Sequence, residues 1–265
     1  MDQLDPLHQI IDEYQVFHCV ECGKCTGACP LAQVDLEFSP RLVAKHVIEE
    51  GINSPYVREK TWFCLTCGLC HERCPIGIPF DHFIRAIRHL YAREHYRGHL
   101  SHGGGLQSLM RMQTAPNLKQ NRLDWVTPEL RVSTEGEILY FVGCLPFFDI
   151  VFADLEVQAL DIARSAVQLL NRVGITPVVS DGERCCGADL LLAGDVNSFQ
   201  RLAELNVEVI RASGAEKVVF TCAECYNAFK TDYQSYLGDL PFEMMHLTEL
   251  LAEKIDAGEL DFEPL

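Results

Sequence analysis

The sequence predicts an α+β chain of two parts. An α-helical domain covers residues 1–97. A small α/β domain with a short parallel sheet covers 136–265, and 98–135 joins them as a linker. Three observations lead there. Eight of the thirteen cysteines form two copies of one run, set among helical rather than strand-like periods. From Glu137 onward, apolar runs of strand length alternate with amphipathic helical stretches. In the middle, glycines and prolines interrupt any long period.

Taken in order, residues 1–17 read as a helical lead-in, with Leu7, Ile10, Ile11 and Tyr14 at helical spacing. Ser39-Pro40 is a helix start, Ser39 as N-cap and Pro40 at the first helical position, and Gly51 ends that helix. Ser54-Pro55 repeats the signal. A helix over 80–96 turns Phe83, Ile84, Ile87, Leu90 and Tyr91 inward. Gly98, Gly103, Gly104, Gly105, Pro116 and Pro128 break the following stretch, where only 106–112 is expected to be helical. It is expected to lie along a surface or under a partner. Strands are expected over 138–142, 175–179 and 217–220. Helices are expected over 155–173, 196–212, 225–236 and 247–255.

The formal net charge of −16 argues against a nucleic-acid role, which needs a basic face. It suits docking on a basic partner, although solubility alone would also account for it. The start of the chain is acidic with no apolar run behind it, and no stretch of 18 apolar residues follows. Neither a secretory signal nor a transmembrane helix is therefore expected, and the chain reads as cytoplasmic. In a reducing compartment thirteen cysteines point to metal or redox chemistry rather than disulfides.

The first run is Cys19, Cys22, Cys25 and Cys29, then Pro30; the second is Cys64, Cys67, Cys70 and Cys74, then Pro75. Each cysteine of the second lies 45 positions after its counterpart. Both read C-x2-C-x2-C-x3-C-P, the run with which bacterial ferredoxins hold cubane [4Fe–4S] clusters. In two-cluster proteins the fourth cysteine ligates the other cluster. Cys19, Cys22, Cys25 and Cys74 are thus expected to hold one cubane, and Cys64, Cys67, Cys70 and Cys29 the other. The prolines turn the chain away, and Gly23 and Gly68 are expected to bring amides toward cluster sulfur. Zinc knuckles, with four ligands from two short pairs, fit two intact runs badly. A pair of cubanes moves single electrons. With helix separating the runs, this part resembles an α-helical ferredoxin domain.

The remaining cysteines are Cys144, Cys185-Cys186 before Gly187, and Cys222-x2-Cys225. Each follows an expected strand. Loops at the carboxyl ends of parallel strands gather on one sheet edge, so the five are expected to meet. A helix N-terminus is expected to favour thiolates at Cys222 and Cys225. This pattern resembles the cysteine-rich CCG domain of heterodisulfide reductases and their relatives. Those include iron–sulfur subunits of glycolate, lactate and glycerol-3-phosphate oxidising systems. Phe63 to Cys67 and Glu72 to Pro75 resemble the heterodisulfide reductase C subunit. The chain thus looks like a C-like module fused to part of a B-like module, an arrangement of the D-subunit type.

The resemblance implies that Cys144, Cys185, Cys186, Cys222 and Cys225 hold a third cluster, a non-cubane [4Fe–4S] centre. It also implies an electron-transfer subunit of a complex. No dinucleotide glycine loop occurs, so flavin or nicotinamide belongs to a partner: a flavoprotein or a hydrogenase/formate-dehydrogenase-type subunit. Family members usually carry two CCG repeats, and disulfide cleavage uses two facing clusters. This chain has one, so either a second CCG-containing protein supplies the other half or the chain only relays electrons. The alternative is a ferredoxin-like adaptor or redox-sensing module whose CCG site holds zinc or no cluster.

Overall fold

Helix starts fall where the caps predict them. In the computed structural model, which describes residues 5–96, 98 and 100–261, α1 (Pro6–Glu13) begins the chain. The first four residues of the expected lead-in lie outside the described residues. After α2 (Lys24–Ala28), Ser39 Oγ accepts from the Leu42 amide at 3.3 Å and opens α3 (Pro40–Glu50), which ends at Gly51. Next come α4 (Pro55–Lys60), α5 (Leu69–Glu72), α6 (Phe80–Arg93) and α7 (Gly105–Met112). Helix α6 stops short of the expected residue 96 because His95 takes a left-handed φ of 58°.

Two compact units result. One runs to Ser108 and adds Asp189–Val196; the other takes Leu109–Ala188 and the chain from Asn197. In the first unit, Ile11, Val16, Phe38, Val43, Val47, Val57, Phe83, Ile84, Ile87 and Tyr91 form one buried core. Arg88 is buried beside it. Its guanidinium donates to Thr61 O (2.8 Å), Cys64 O (2.7 Å) and Leu192 O (2.8 Å). Gly194, at φ +81°, lies so close that a Cβ there would stand 2.5 Å from the carbonyl of Arg88. Gly194→Ala combines a left-handed backbone with a backbone clash. It is expected to destabilise this unit by about 1–3 kcal/mol, read from thermal unfolding.

The second unit is built on a three-stranded parallel sheet, ordered β1 (Ile138–Phe141), β2 (Lys217–Phe220), β3 (Glu243–His246). Leu139, Val218 and Met244 share one register position. Helices α8 (Leu145–Val151), α9 (Ala159–Arg172), α10 (Ala188–Leu192), α11 (Val196–Ala212), α12 (Ala223–Asn227), α13 (Gln234–Leu237) and α14 (Leu247–Asp256) complete the chain. The α+β class stands as expected, but three details change. The strand expected over 175–179 is only a bridge at Val178, paired to Ser133 and Leu139. Pro177 has no N–H to extend a ladder. Instead β3 forms from a Glu-Met-Met-His stretch without β-branched residues. The helix expected over 225–236 is split, with a π-helical turn at Ala228–Tyr233 between α12 and α13.

The expected linker is not loose chain. Met110, Gln113, Arg122, Trp125 and Leu130 are buried. Trp125 and Leu130 share a core with Tyr140, Val142, Ala166 and Leu170. These anchors are too widely spaced between breakers to give a period. Among the described residues, no helix is long and apolar enough to cross a membrane.

Candidate functional site

The two cysteine runs fold alike. Glu21 and Thr66, at equivalent positions, have φ of 50° and 51°; Gly23 and Gly68 have 77° and 73°. The left-handed pair turns the chain so that a short helix starts at once: α2 carries Cys25 and α5 carries Cys70. Their fourth cysteines cross over. One hollow is lined by Cys19, Cys22, Cys25 and Cys74. Another is lined by Cys64, Cys67, Cys70 and Cys29.

Burial pushes the thiols of Cys25, Cys64 and Cys70 up, Cys70 to about 12. Amide N–H groups of Thr26 and Arg41 reach Cys25, that of Thr66 reaches Cys64 at 3.4 Å, and that of His71 reaches Cys70. Each hollow also takes one charged side chain into its wall, Arg41 in the first and Asp81 in the second. Four sulfurs around a space, with amides already directed at them, fit a thiolate-bound cluster. Its cationic iron would take the place of the protons that burial holds on the thiols.

The other five sulfurs form a connected knot. Cys144 Sγ lies 3.0 Å from Cys185 Sγ. Hydrogen-bond contacts then run from Cys185 to Cys186, from Cys186 to Cys225, and from Cys225 to Cys222. Gly143, at φ +67°, makes room: a Cβ there would press on Cys225 Sγ at 3.3 Å. Cys144 follows β1 and Cys222 follows β2, as expected, whereas Cys185-Cys186 follow the isolated bridges at Val178.

Protons are shared unequally in the knot. The Cys225 thiol, with the amides that open α12, holds Cys222 down at about 6. Contact with Cys144, then Cys186, draws Cys185 well below the usual thiol range. Cys144 and Cys186 are pushed up by their contact with Cys185, and Cys225 by Cys186 and Cys222. The helix terminus therefore favours a thiolate at Cys222 alone. Cys225, expected to share that benefit, serves as donor. Five sulfurs in contact, three of them on buried residues, cannot all ionise against each other without cations, and this donor set fits an iron–sulfur centre. Among the described residues, no three His, Cys, Asp or Glu side chains close on one point as ligands of a single ion.

Polar residues with no motif hold the knot. Buried Asn206 accepts the Arg184 amide with Oδ1 (2.8 Å) and donates through Nδ2 to Cys185 O (3.0 Å) and Tyr233 Oη (3.1 Å). Tyr233, in the π-helical turn, donates to Cys186 O (3.0 Å). Gln113 Oε1 accepts the Cys185 amide at 2.8 Å. Glu183 accepts the amides of Val142 (3.1 Å) and Gly143 (2.7 Å) and pairs with Arg122 (2.8 Å). Burial pushes the Glu183 carboxyl up to about 7. Asn206→Leu leaves the Arg184 amide and the Cys185 carbonyl without these partners and removes the donor to the Tyr233 hydroxyl, which keeps its own bond to Cys186 O. It is expected to cost about 3 kcal/mol or more in chemical denaturation, since each orphan costs about 1–3 kcal/mol. A lone Asn or Tyr inside an apolar helical period carries no sequence signal. Only the charge of Glu183 and Arg184 directly before the cysteine pair hinted at a polar setting.

Comparison with known proteins finds two domain families and a set of relatives along this chain. Residues 15–78 match the 4Fe-4S dicluster domain family, and residues 138–230 match the cysteine-rich domain family, CCG. The D subunit of the dihydromethanophenazine:CoB–CoM heterodisulfide reductase of Methanosarcina barkeri is 29% identical, over 92% of this chain and 64% of its own length. The B subunit of the fumarate reductase (CoM/CoB) of Methanothermobacter marburgensis is 25% identical, over 90% and 47%. The EtfAB:quinone oxidoreductase of Syntrophomonas wolfei is 22% identical, over 91% and 40%. The chain thus spans less than two thirds of the length of these relatives. No solved structure matches it. The chain thus matches a 4Fe-4S dicluster domain followed by a CCG cysteine-rich domain, and over nine-tenths of its length it is similar to iron–sulfur subunits of the heterodisulfide reductase type.

Proposed function

We propose that this chain is an electron-transfer subunit of a heterodisulfide-reductase-like oxidoreductase complex. Single electrons pass through two cubane [4Fe–4S] clusters to or from a third, non-cubane [4Fe–4S] cluster in the CCG unit. The observation that carries the reading is the crossed lining of the two hollows, three cysteines of one run with the last of the other. That is the ligand partition of a two-cluster ferredoxin. On this reading Cys19, Cys22, Cys25 and Cys74 hold the first cubane, and Cys64, Cys67, Cys70 and Cys29 the second. Cys144, Cys185, Cys186, Cys222 and Cys225 hold the third cluster. The clusters supply one-electron storage. The protein supplies thiolates, amide donors to sulfur, and burial that keeps water away.

Partner chains are part of the proposal. Relatives named as the D and B subunits of their enzymes support work within a complex. With no nucleotide loop in this chain, the electron source or sink is a flavoprotein or a hydrogenase/formate-dehydrogenase-type subunit. A second CCG-containing protein completes any disulfide chemistry. A cytoplasmic location goes with it, supported by thirteen cysteines that form no disulfide. Zinc is disfavoured in the CCG unit, because five sulfurs exceed a tetrahedral site.

The test is EPR of the anaerobically purified chain at graded potentials, with iron and acid-labile sulfide counts. Two interacting cubane signals and a third, separately titrating species are expected. Cubane signals alone, with zinc or nothing in the CCG unit, would reduce the chain to a ferredoxin-like adaptor.

A further inference from the structure

Arg122 lies in the stretch that the sequence assigns to a linker, yet its side chain is only 3% exposed. One edge of its guanidinium is fully engaged: Nη2 donates to Gly143 O and to Glu183 Oε1 at 2.8 Å. The clamp is itself anchored. Glu183 takes the amides of Val142 and Gly143, the turn that leads into Cys144. The Arg122 amide donates to Asp181 Oδ1 at 2.5 Å. The other edge differs. Nη1 is buried and has no hydrogen-bond partner among the described residues. Its charge stands beside the sulfur knot: the Gly143 carbonyl that Nη2 holds directly precedes Cys144, and Glu183 lies two residues before Cys185. A buried N–H with nothing to bond is costly, and guanidinium stays charged where lysine would give up its proton.

We propose that Arg122 is a positioning residue for the cluster held by Cys144 and Cys185. Its free Nη1–H is the donor offered to that centre's sulfur, and its fixed charge raises the centre's reduction potential. The inference rests on the reading that the five cysteines hold a cluster. The physical basis is direct. Uptake of an electron adds one negative charge at the sulfurs, and a cation held nearby in a low-dielectric interior favours the more reduced state. Glu183 offsets part of this. Its carboxylate, however, is occupied by two amides and by the engaged edge of the guanidinium, leaving Nη1 as the pair's open end. In a titration each electron comes from a low-potential one-electron mediator, which is oxidised by one. No bond or proton changes hands.

The test is an EPR-monitored redox titration of the full chain, anaerobically purified. At the wild-type midpoint of the third signal, Arg122→Gln is expected to cut the reduced-to-oxidised ratio about tenfold, a shift of about 59 mV for one electron. Arg122→Lys, which keeps a cation, is expected to recover most of it. The two cubane midpoints, measured in the same sample, stay in place. An unmoved third midpoint in Arg122→Gln with full iron content overturns the inference and leaves the proposed function standing. If Arg122→Gln does not assemble, the double variant Arg122→Gln/Glu183→Gln leaves no orphan buried carboxylate and decides the question. A lowered midpoint there upholds the inference, and an unchanged or raised one overturns it. Absence of a third signal in the wild-type protein overturns both readings.

Discussion

Replacing Cys74 with serine is expected to remove the cluster of the first cysteine run, although Cys74 belongs to the second. The hollow that Cys74 lines is otherwise walled by Cys19, Cys22 and Cys25. Replacing Cys29 is expected to do the same to the centre of Cys64, Cys67 and Cys70. On the proposed complement of three four-iron centres, each variant is expected to lose about a third of its iron. The loss reaches beyond stoichiometry. Partly buried Cys19, Cys25, Cys29, Cys64 and Cys74 pack directly on the core that contains Ile11, Phe38, Phe83 and Tyr91. A cluster in each hollow therefore ties the two runs to each other and to that core. Losing one is expected to destabilise the unit by more than about 4 kcal/mol, in the range reserved for loss of a metal or a disulfide. Iron analysis, EPR and thermal unfolding of the two variants check this together. If Cys74→Ser spares the signal lost in Cys22→Ser, the ligands are not crossed.

Cys186→Ala is expected to abolish the third centre while leaving both cubane signals intact. Cys186 is 4% exposed and stands in the middle of the sulfur chain, touching Cys185 on one side and Cys225 on the other. Its removal divides the knot, separating Cys144 and Cys185 from Cys222 and Cys225. Alanine fills the site with little strain, so the fold is expected to persist. Iron falls by about a third, and EPR retains only the coupled cubane pair. In the assembled complex, reduction of the acceptor is expected to fall at least about a hundredfold, equivalent to about 2.7 kcal/mol added to the barrier. Acceptor reduction at the wild-type rate would make the CCG centre dispensable and favour the adaptor reading.

The motif residues were legible in the sequence because their spacing is dictated by chemistry. Cysteine runs must match the size of the group they hold. The crossing of Cys29 and Cys74 follows from the pattern, as do Ser39, Pro40 and Gly51 at the ends of α3. The supporting residues were not legible. Arg122 and Gln113 sit between Gly and Pro breakers, where sequence reading expects solvent. Asn206 and Tyr233 interrupt an apolar period in α11 and the π-helical turn without altering its spacing. Their roles are to satisfy individual carbonyls and amides, and no periodicity records a hydrogen bond to a distant backbone group. Strand β3 was missed for a related reason. Four residues with two methionines become a strand through the register offered by β2, not through their own preference.

The inclusion of Asp189–Val196 in the first unit bears on how the dicluster ferredoxin could be obtained alone. A fragment ending at Ser108 would lack the Leu192 carbonyl that receives Arg88 and the Gly194 carbonyl, 2.9 Å from the His89 ring nitrogen. Arg88 would keep its bonds to Thr61 and Cys64, beside the second hollow, but lose its third protein acceptor. Such a fragment would be a weakened ferredoxin. Potentials measured on it would describe a centre whose supporting cation is less firmly held than in the intact chain.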